Sequence, residues 1–336
     1  MPRLTMTVAT ETLRLAKPFR ISGYVFEGSD VVVVRLSDGE HEGRGEGGGV
    51  FFLGDDVGHM LAALDGARSA IEAGLSREEL RSILPPGGAR NAVDCALWEL
   101  EASRSGKPVW ALAGVGEPKP LRTTFTLGAD IPEIMAKGAR DYADARSIKI
   151  KLTGELELDL ARVAAIRAAR DDVWLGVDGN QGFGISDLDA LVDGLKDQRV
   201  SLLEQPLARG READLDGYAS AIPIAGDESI LSLDDVPGAV GRFEVINIKL
   251  DKCGGLTEGL MMARLARDLG LGVMVGNMVG SSLAMAPGFI LGQGCDVVDL
   301  DGPTFLAQDR EPSVRYHDGM ITAGPKVWGA GERIAA

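Results

Sequence analysis

The first 50 or so residues are predicted to form antiparallel strands, in which apolar and polar residues alternate. The stretch Gly39–Gly49 differs, because its glycines and charged residues are typical of turns. The alternation is clear over Leu4–Leu15, and Val31–Leu36 is a strongly apolar, β-branched run, with a predicted loop at Arg20–Asp30 between them. From about residue 57 the apolar spacing becomes helical, most clearly over Asn91–Ala102. Candidate core positions on that helix are Val93, Leu97, Trp98 and Leu100. This part of the chain is predicted to form an α+β domain over residues 1–115.

After Leu121 the pattern changes to short apolar strands about 25 residues apart, most of them separated by an amphipathic stretch. The eight predicted strands are Arg122–Thr126, Ser147–Leu152, Trp174–Asp178, Ser201–Glu204, Ile222–Ala225, Val245–Lys249, Gly272–Val275 and Val297–Leu300. Strands that alternate with helices in this way predict an α/β fold with a barrel of parallel strands. We place the barrel at residues 116–310 and expect residues 311–336 to fold back onto the first domain.

Composition narrows the classes of partner. The 336-residue chain has 35 Lys and Arg against 50 Asp and Glu, a formal net charge of −15, which disfavours nucleic acids and anionic membrane surfaces. No apolar run is long enough for a membrane span, and the N-terminus lacks the apolar segment of a signal peptide. Cys95, Cys253 and Cys295 have no metal-ligand spacing, so a reduced, cytoplasmic protein is expected. With only three histidines present, acid–base chemistry is expected to use other groups.

Three consecutive predicted strands end in acidic residues. Asp178, Glu204 and Asp227 stand at the ends of the third, fourth and fifth strands. Active sites of such barrels lie at the carboxyl ends of the strands, and consecutive strands are neighbours, so these carboxylates should converge. A helix N-cap or a solvated loop would explain any one of them alone. Three together would repel one another without a cation, and oxygen ligands without Cys or His favour Mg²⁺.

Lysines flank these carboxylates on both sides. Lys149 and Lys151 share one face of the second strand by period-two alternation, and Lys249 ends the sixth strand. All three are therefore predicted to point into the barrel, where they are expected to have lowered pKa values that suit proton transfer near neutral pH. A substrate held at the metal would have its α-carbon between amines on opposite faces. Such an arrangement permits inversion of a stereocentre through an enolate.

Five short motifs follow one another along the predicted barrel. They are KIK (Lys149, Lys151), VDGNQ (Asp178), LLEQP (Glu204), AGDES (Asp227) and INIKLDKCGG (Lys249). In this order they resemble the enolase superfamily, in its muconate-lactonising subgroup, over nearly the whole chain. The resemblance implies a capping domain followed by a modified TIM barrel of the (β/α)7β type. It also implies Mg²⁺ on the three carboxylates and Lys bases, as that superfamily is known to use, with Lys151 and Lys249 as the two bases and Lys149 assisting at the enolate.

The subgroup includes cycloisomerases, o-succinylbenzoate synthases, N-acylamino acid racemases and dipeptide epimerases. Asp299 and Asp301, in DVVDLDGP, share a face at the end of the eighth strand, and resemble the pair with which dipeptide epimerases hold a substrate α-ammonium. A turn before Gly302 and Pro303 would explain the same two acids. The sequence therefore predicts a Mg²⁺-dependent dipeptide epimerase. The alternatives are an N-acylamino acid racemase and, further off, a lyase of the cycloisomerase or o-succinylbenzoate synthase type.

The first domain departs from one known pattern. Epimerases that act on Ala-Glu carry an arginine in a first-domain loop, and alignment from Lys17 places Tyr24 there, which argues against Ala-Glu specificity. Tyr24 is therefore a predicted substrate contact, and Lys149 is a second one because of its expected role at the enolate. Neutral, aromatic and cationic dipeptides are all possible substrates on this pattern. The glycine-rich Gly276–Gly288 segment is predicted to contact the substrate through its backbone. The expected partner is a small molecule, with assembly into a homo-oligomer left open.

Overall fold

The computed structural model describes residues 3–21 and 24–330. The first domain begins with an antiparallel sheet in the order β1–β2–β3, with bounds Thr5–Ile21, Tyr24–Ser37 and Glu42–Gly48. The predicted loop at Arg20–Asp30 is wrong for its described residues, because β1 and β2 continue as a long hairpin in which Phe19 still pairs with Phe26. The helices that follow are α1 (Val57–Glu72), α2 (Arg77–Ile83), α3 (Gly88–Ser105) and α4 (Val109–Leu112).

Helix α3 is buried along most of its length, because it packs against strand β3 on one side and against the second domain on the other. Glycine recurs at alternate positions of β3, and a Cβ atom on Gly45 would lie 2.0 Å from the carbonyl oxygen of Ala92 in α3. A Cβ atom on Gly47 would lie 2.1 Å from the carbonyl oxygen of Gly88. The sheet reaches this close to the helix only because these positions lack a side chain. The glycine-rich sequence of β3 is typical of turns, but the segment forms a strand because the glycines allow close packing against α3.

Strand β4 (Leu121–Arg122) leads into eight parallel strands that pair in chain order. They are β5 (Phe125–Leu127), β6 (Ser147–Lys151), β7 (Trp174–Asp178), β8 (Leu202–Glu204), β9 (Ile224–Gly226), β10 (Val245–Lys249), β11 (Gly272–Gly276) and β12 (Val297–Val298). The first and last of these meet where the Thr124 N–H donates to the Val298 carbonyl at 3.0 Å. The predicted α/β fold class, a capping domain with a modified TIM barrel, is confirmed.

Helices cover most connections between the barrel strands. They are α5 (Pro132–Asp141), α6 (Leu156–Ala169), α7 (Ile185–Asp197), α8 (Leu250–Cys253), α9 (Leu256–Asp268) and α10 (Ser282–Gly292). The connections after β8 and β9 instead hold 3-10 turns, at Glu212–Leu215 and Leu233–Ala239. The core lies between strands and helices, where Ile148 and Ile150 are fully buried. The odd-numbered positions of β6, which carry the lysines, therefore face the barrel axis.

The last described residues contact both domains. Strands β13 (Arg315–His317) and β14 (Met320–Thr322) form a hairpin, and β14 pairs with β4. Beyond it, the Gly329 N–H donates to Glu99 Oε1 in α3 at 3.0 Å. The domain boundaries placed at residues 115 and 310 stay predictions.

Buried ion pairs and hydrogen bonds join the capping domain to the barrel. Arg90 in α3 donates to Glu258 Oε2 in α9 at 2.7 Å, with both side chains almost fully buried. At the segment after the neighbouring strand β11, Glu46 in β3 accepts from the Ser281 N–H at 2.7 Å. Loss of one partner would leave a buried group unpaired, which costs about 3–5 kcal/mol for a buried charge. These contacts hold the capping domain in one position over the barrel.

We expect Gly45→Ala to destabilise the protein by about 1–3 kcal/mol or more, because the new methyl group would force β3 away from α3. Gly66→Ala is a matched control, because a Cβ atom there meets nothing within 4 Å. In the interior of α1 it should stabilise by roughly 0.5–1 kcal/mol. Urea unfolding of both variants checks this, and a Gly45→Ala protein as stable as the wild type would contradict the packing argument.

Candidate active site

Three carboxylates converge at the carboxyl end of the barrel. Asp178 and Glu204 are the last residues of β7 and β8, and Asp227 directly follows β9. One oxygen of each lies within 4.8 Å of the others, and all three side chains are at most 1% exposed. The structure thus brings together the residues predicted as metal ligands, in a setting where three unpaired negative charges would be very costly.

The predicted lysines surround this trio. Lys149 Nζ lies 2.8 Å from Glu204 Oε2 and 3.2 Å from Asp178 Oδ2. Lys151 Nζ, two residues along β6, donates to Asp178 Oδ2 at 2.6 Å. Across the barrel, Lys249 Nζ donates to Asp227 Oδ2 at 2.7 Å. Each lysine is therefore held by a carboxylate of the trio, and Lys151 and Lys249 approach it from opposite sides.

The pKa values of the lysines in this cluster depend on the carboxylates with which they are paired. Burial alone lowers the pKa of Lys149, but the charges of Asp299 and Glu204 outweigh burial and raise the pKa well above its usual value. Burial likewise lowers the pKa of Lys249, but the surrounding carboxylates, Asp227 foremost, together outweigh burial and raise the pKa. The expectation of lowered lysine pKa values is therefore wrong for these two residues in this arrangement. The carboxylates, packed around the ammonium groups, favour the charged form.

The carboxylates themselves divide into two kinds. Burial tends to raise the pKa of Asp178, but the ammonium groups of Lys151 and Lys149 lower it to about 2. Burial raises the pKa of Glu204 to about 8, and the neighbouring charge of Asp178 adds to the rise. Negative charge is thus in excess around Glu204, and a further cation would relieve it.

The donor set fits a divalent cation. With every group ionised, this cluster has six buried carboxylates against four buried lysines, so its formal charge is two negative. Its members are Asp178, Glu204, Asp227, Glu228, Asp299, Asp301, Lys149, Lys151, Lys249 and Lys252. Among the described residues, buried oxygens of Asn180, Glu228 and Asn247 also have no hydrogen-bond partner. Hard oxygen donors of this kind suit Mg²⁺.

Sequence reasoning missed several residues that hold the trio in place. Lys252, in α8, donates to Asp227 Oδ1 at 2.5 Å, and Asn247 Nδ2 donates to Glu204 Oε1 at 2.9 Å. The side-chain oxygen of Gln205 accepts from the Asp227 N–H at 2.9 Å, while its own backbone has a φ of 32°. A non-glycine residue in that region is strained, which is typical of functional sites. The Gln in LLEQP and the second Lys in INIKLDKCGG were the available signals.

Asp299 and Asp301 follow β12 and are both buried. Asp299 Oδ2 accepts from Lys149 at 2.8 Å, and Asp301 Oδ2 accepts from the Thr126 N–H at 2.6 Å. Burial and the charge of Asp299 raise the pKa of Asp301 to about 7. The pair therefore closes the site beside Lys149, and its predicted contact with a substrate amine stays a prediction.

A cavity of about 280 Å³ opens from the two outer lysines toward the capping domain. Lys151, Lys249 and Asn180 line its barrel side, and Asn277 and Val279 come from the predicted glycine-rich segment after β11. The remaining lining residues are Phe19, Phe26, Gly28, Ser29, Asp30, Gly49, Phe51, Phe52, Asp55, Asp56, Val57, Asp227, Glu228 and Met278. The side chain of Tyr24 lies outside the described part of the chain, so its predicted substrate contact stays a prediction.

A capping domain, a parallel barrel and a buried cluster of carboxylates and lysines at its mouth are together typical of a two-domain barrel enzyme. Residues 3–114 match the family described as mandelate racemase/muconate lactonizing enzyme, N-terminal domain. Residues 134–334 match the family described as enolase C-terminal domain-like. The chain belongs to the enolase superfamily, in its mandelate racemase and muconate-lactonising enzyme family.

Similar proteins are epimerases and racemases. The chain is 38% identical to an L-Ala-D/L-Glu epimerase of Escherichia coli, over 94% of this chain and 99% of that one. It is 39% identical to an N-acetyl-D-glutamate racemase of a Pseudoalteromonas species, over 73% of this chain and 76% of that one. A dipeptide epimerase of Methylococcus capsulatus, solved with Mg and L-Arg-D-Lys, superposes with a TM-score of 0.90 at 29% identity, covering 96% of this chain and 98% of that one. Across the described residues, no helix combines the length and the apolar character that crossing a membrane requires.

We expect Mg²⁺ to raise the melting temperature of the wild type, since a ligand at 100 times its dissociation constant stabilises by about 2.7 kcal/mol. Glu204→Gln and Asp227→Asn should lose this increment, because each removes a ligand of the trio. Asp296→Asn is the control, since Asp296 lies just before β12 at the opposite end of the barrel and pairs with Arg267. Melting with and without Mg²⁺ checks this. An unchanged increment in the trio variants would place the ion elsewhere.

Proposed function

We propose that this enzyme epimerises a dipeptide by moving the α-proton of one residue between Lys151 and Lys249. The observation that carries the proposal is that both lysines line one cavity while each bonds to a different carboxylate of the trio. A substrate carboxylate directed at the trio would place its α-carbon between the two amines. One lysine, as the neutral amine, takes the proton from one face, and the other, as the ammonium, returns a proton to the opposite face.

The other groups of the site act on charge and position. Asp178, Glu204 and Asp227 would hold Mg²⁺, which supplies positive charge to offset the negative charge that builds on the substrate as its α-proton leaves. Lys149 does not line the cavity, but its ammonium group lies between Asp178, Glu204 and Asp299 and adds fixed positive charge beside them. Because these groups are buried and already oriented, they need little rearrangement during the reaction.

The same core would serve an N-acylamino acid racemase, and the Pseudoalteromonas relative keeps that alternative open. We favour a dipeptide because Asp299, bonded to Lys149, and Asp301 bring two carboxylates to the end of β12. A free α-ammonium would be paired by them, and an acyl group would not. A lyase acting on a dianionic substrate would be repelled by the same pair. Free thiols at Cys95, Cys253 and Cys295 agree with the proposed cytoplasmic location.

Lys151→Ala and Lys249→Ala should each lower epimerisation by about 10²–10⁴-fold, the usual contribution of a positioned acid or base. Each variant should still exchange the α-proton of one epimer with D₂O, and the two variants should act on opposite epimers. Mass spectrometry of both epimers in D₂O measures this. Lys137→Ala, on an exposed lysine paired with Asp141, should behave as the wild type. A variant of either base that interconverts both epimers at the wild-type rate would contradict the assignment.

Asp301→Asn and the Asp299→Asn/Asp301→Asn double variant should lower kcat/KM for dipeptides at least about tenfold more than for N-acetylamino acids. Hydrogen bonds to charged groups contribute roughly 1.5–3 kcal/mol each, and tenfold needs about 1.4 kcal/mol. The ratio between substrate classes is the measurement, because a general disturbance of Lys149 would affect both classes equally. A wild type that prefers N-acetylamino acids, with variants that keep that preference, would favour the racemase.

A further inference from the structure

Four phenylalanines form one wall of the cavity, which we call the aromatic wall: Phe19, Phe26, Phe51 and Phe52. Phe26 and Phe51 meet edge to face, with ring centroids 5.2 Å apart. Phe51 and Phe52 meet the same way at 5.4 Å and an interplanar angle of 88°. All four rings are only partly buried, so apolar surface is presented to whatever occupies the cavity. A ligand that covers this surface gains both apolar burial and aromatic contact.

The charged groups around the aromatic wall are acidic. Asp30, Asp55 and Asp56 line the cavity from the capping domain. Within the described part of the chain, the cationic residues that line it are Lys151 and Lys249, and each already donates to a carboxylate at 2.6 and 2.7 Å. A substrate side chain with its own carboxylate would therefore meet phenyl rings and further negative charge. Such a group would lose its hydration without gaining a partner.

The aromatic wall is fixed to the barrel rather than carried on a free hairpin. The carbonyl of Arg20 in β1 accepts from the Ala129 N–H, which follows β5, at 3.1 Å. In β2, Ser29 Oγ donates to the carbonyl of Val279, which follows β11, at 2.8 Å. Phe19 also packs on Phe305 beyond β12, with ring centroids 4.7 Å apart. Contacts with the segments that follow β5, β11 and β12 hold the hairpin in place, so the shape of the wall can select among substrates.

We propose, on the basis of the proposed function, that the residue inverted by this enzyme carries a large apolar side chain, aromatic by preference, and that acidic side chains are rejected. The α-carbon must lie between Lys151 and Lys249, and the cavity is the space that extends from those two amines to the aromatic wall. The side chain of the inverted residue therefore enters it. Its volume of about 280 Å³ is close to the lower end of the range for small-molecule sites, about 300–1,000 Å³. This selectivity differs from that named for the Escherichia coli relative.

The first test compares kcat/KM for L-Ala-L-Phe, L-Ala-L-Leu, L-Ala-L-Glu and L-Ala-L-Lys in D₂O with Mg²⁺. We expect L-Ala-L-Phe to exceed L-Ala-L-Glu by at least about 100-fold, the discrimination that an unpaired buried polar group can produce. Preference for L-Ala-L-Glu or L-Ala-L-Lys would overturn the inference and leave the proposed function standing. Failure of every dipeptide to exchange its α-proton would instead overturn the proposed function.

The second test assigns the selectivity to the aromatic wall. Phe51→Ala, and Phe51→Leu if the first variant folds poorly, should lower kcat/KM for L-Ala-L-Phe at least about tenfold more than for L-Ala-L-Ala, mainly through KM. Phe26→Arg should raise kcat/KM for L-Ala-L-Glu at least about tenfold, because it adds a cation to the wall. Leu53→Ala is the control, since Leu53 lies in the same turn but is 44% exposed and does not line this cavity. Equal losses on both substrates in the Phe51 variants, or no gain in Phe26→Arg, would overturn the role of the wall.

Discussion

The balance of buried charge at the mouth of the barrel is the constraint on which the rest of the structure depends. Carboxylates at three consecutive strand ends can be buried together only if cations lie among them. The alternation of β6 supplies two of these cations, the end of β10 supplies a third, and α8 returns a fourth to Asp227. The negative charge that the lysines leave unbalanced favours the binding of a divalent cation. Chemistry and stability therefore share residues, because Lys151 and Lys249 neutralise carboxylates of the trio and also line the cavity.

The capping domain keeps this cluster away from bulk water. Glycines in β3 let the sheet lie directly against α3, and α3 in turn packs on α8 and α9 of the barrel. Arg90 and Glu46 then join the capping domain to the segments that follow β10 and β11. Exclusion of water strengthens every electrostatic interaction in the site, because the local dielectric constant falls. The cavity that is left is bounded by the barrel on one side and by phenyl rings on the other.

Much of the site could be predicted from the sequence because it rests on local rules. Period-two alternation placed Lys149 and Lys151 on one face, and the rule that barrel sites lie at strand ends brought together Asp178, Glu204 and Asp227. The supporting shell was missed because its members reach the site from elsewhere: Lys252 extends back from a helix, and Gln205 bridges two loops. Strand β3 was missed because its glycines are explained only by the helix packed on it. The expected pKa directions of Lys149 and Lys249 were wrong, because these pKa values depend on distances between strands, which no spacing along the chain gives.

The contacts at Ala129 and Val279 connect the β1–β2 hairpin to the barrel loops, so the two parts are expected to change together during evolution. A hairpin taken from a relative would arrive without the partners that hold Arg20 and Ser29 in register with the barrel mouth. In a chimera that exchanges the hairpin alone, the backbone of the hairpin would therefore be displaced from the barrel mouth, and the new side chains with it. Transfer of substrate specificity between members of this family should succeed when the loops after β5 and β11 are exchanged together with the hairpin. Evolution of the two domains is then coupled where the hairpin meets these loops.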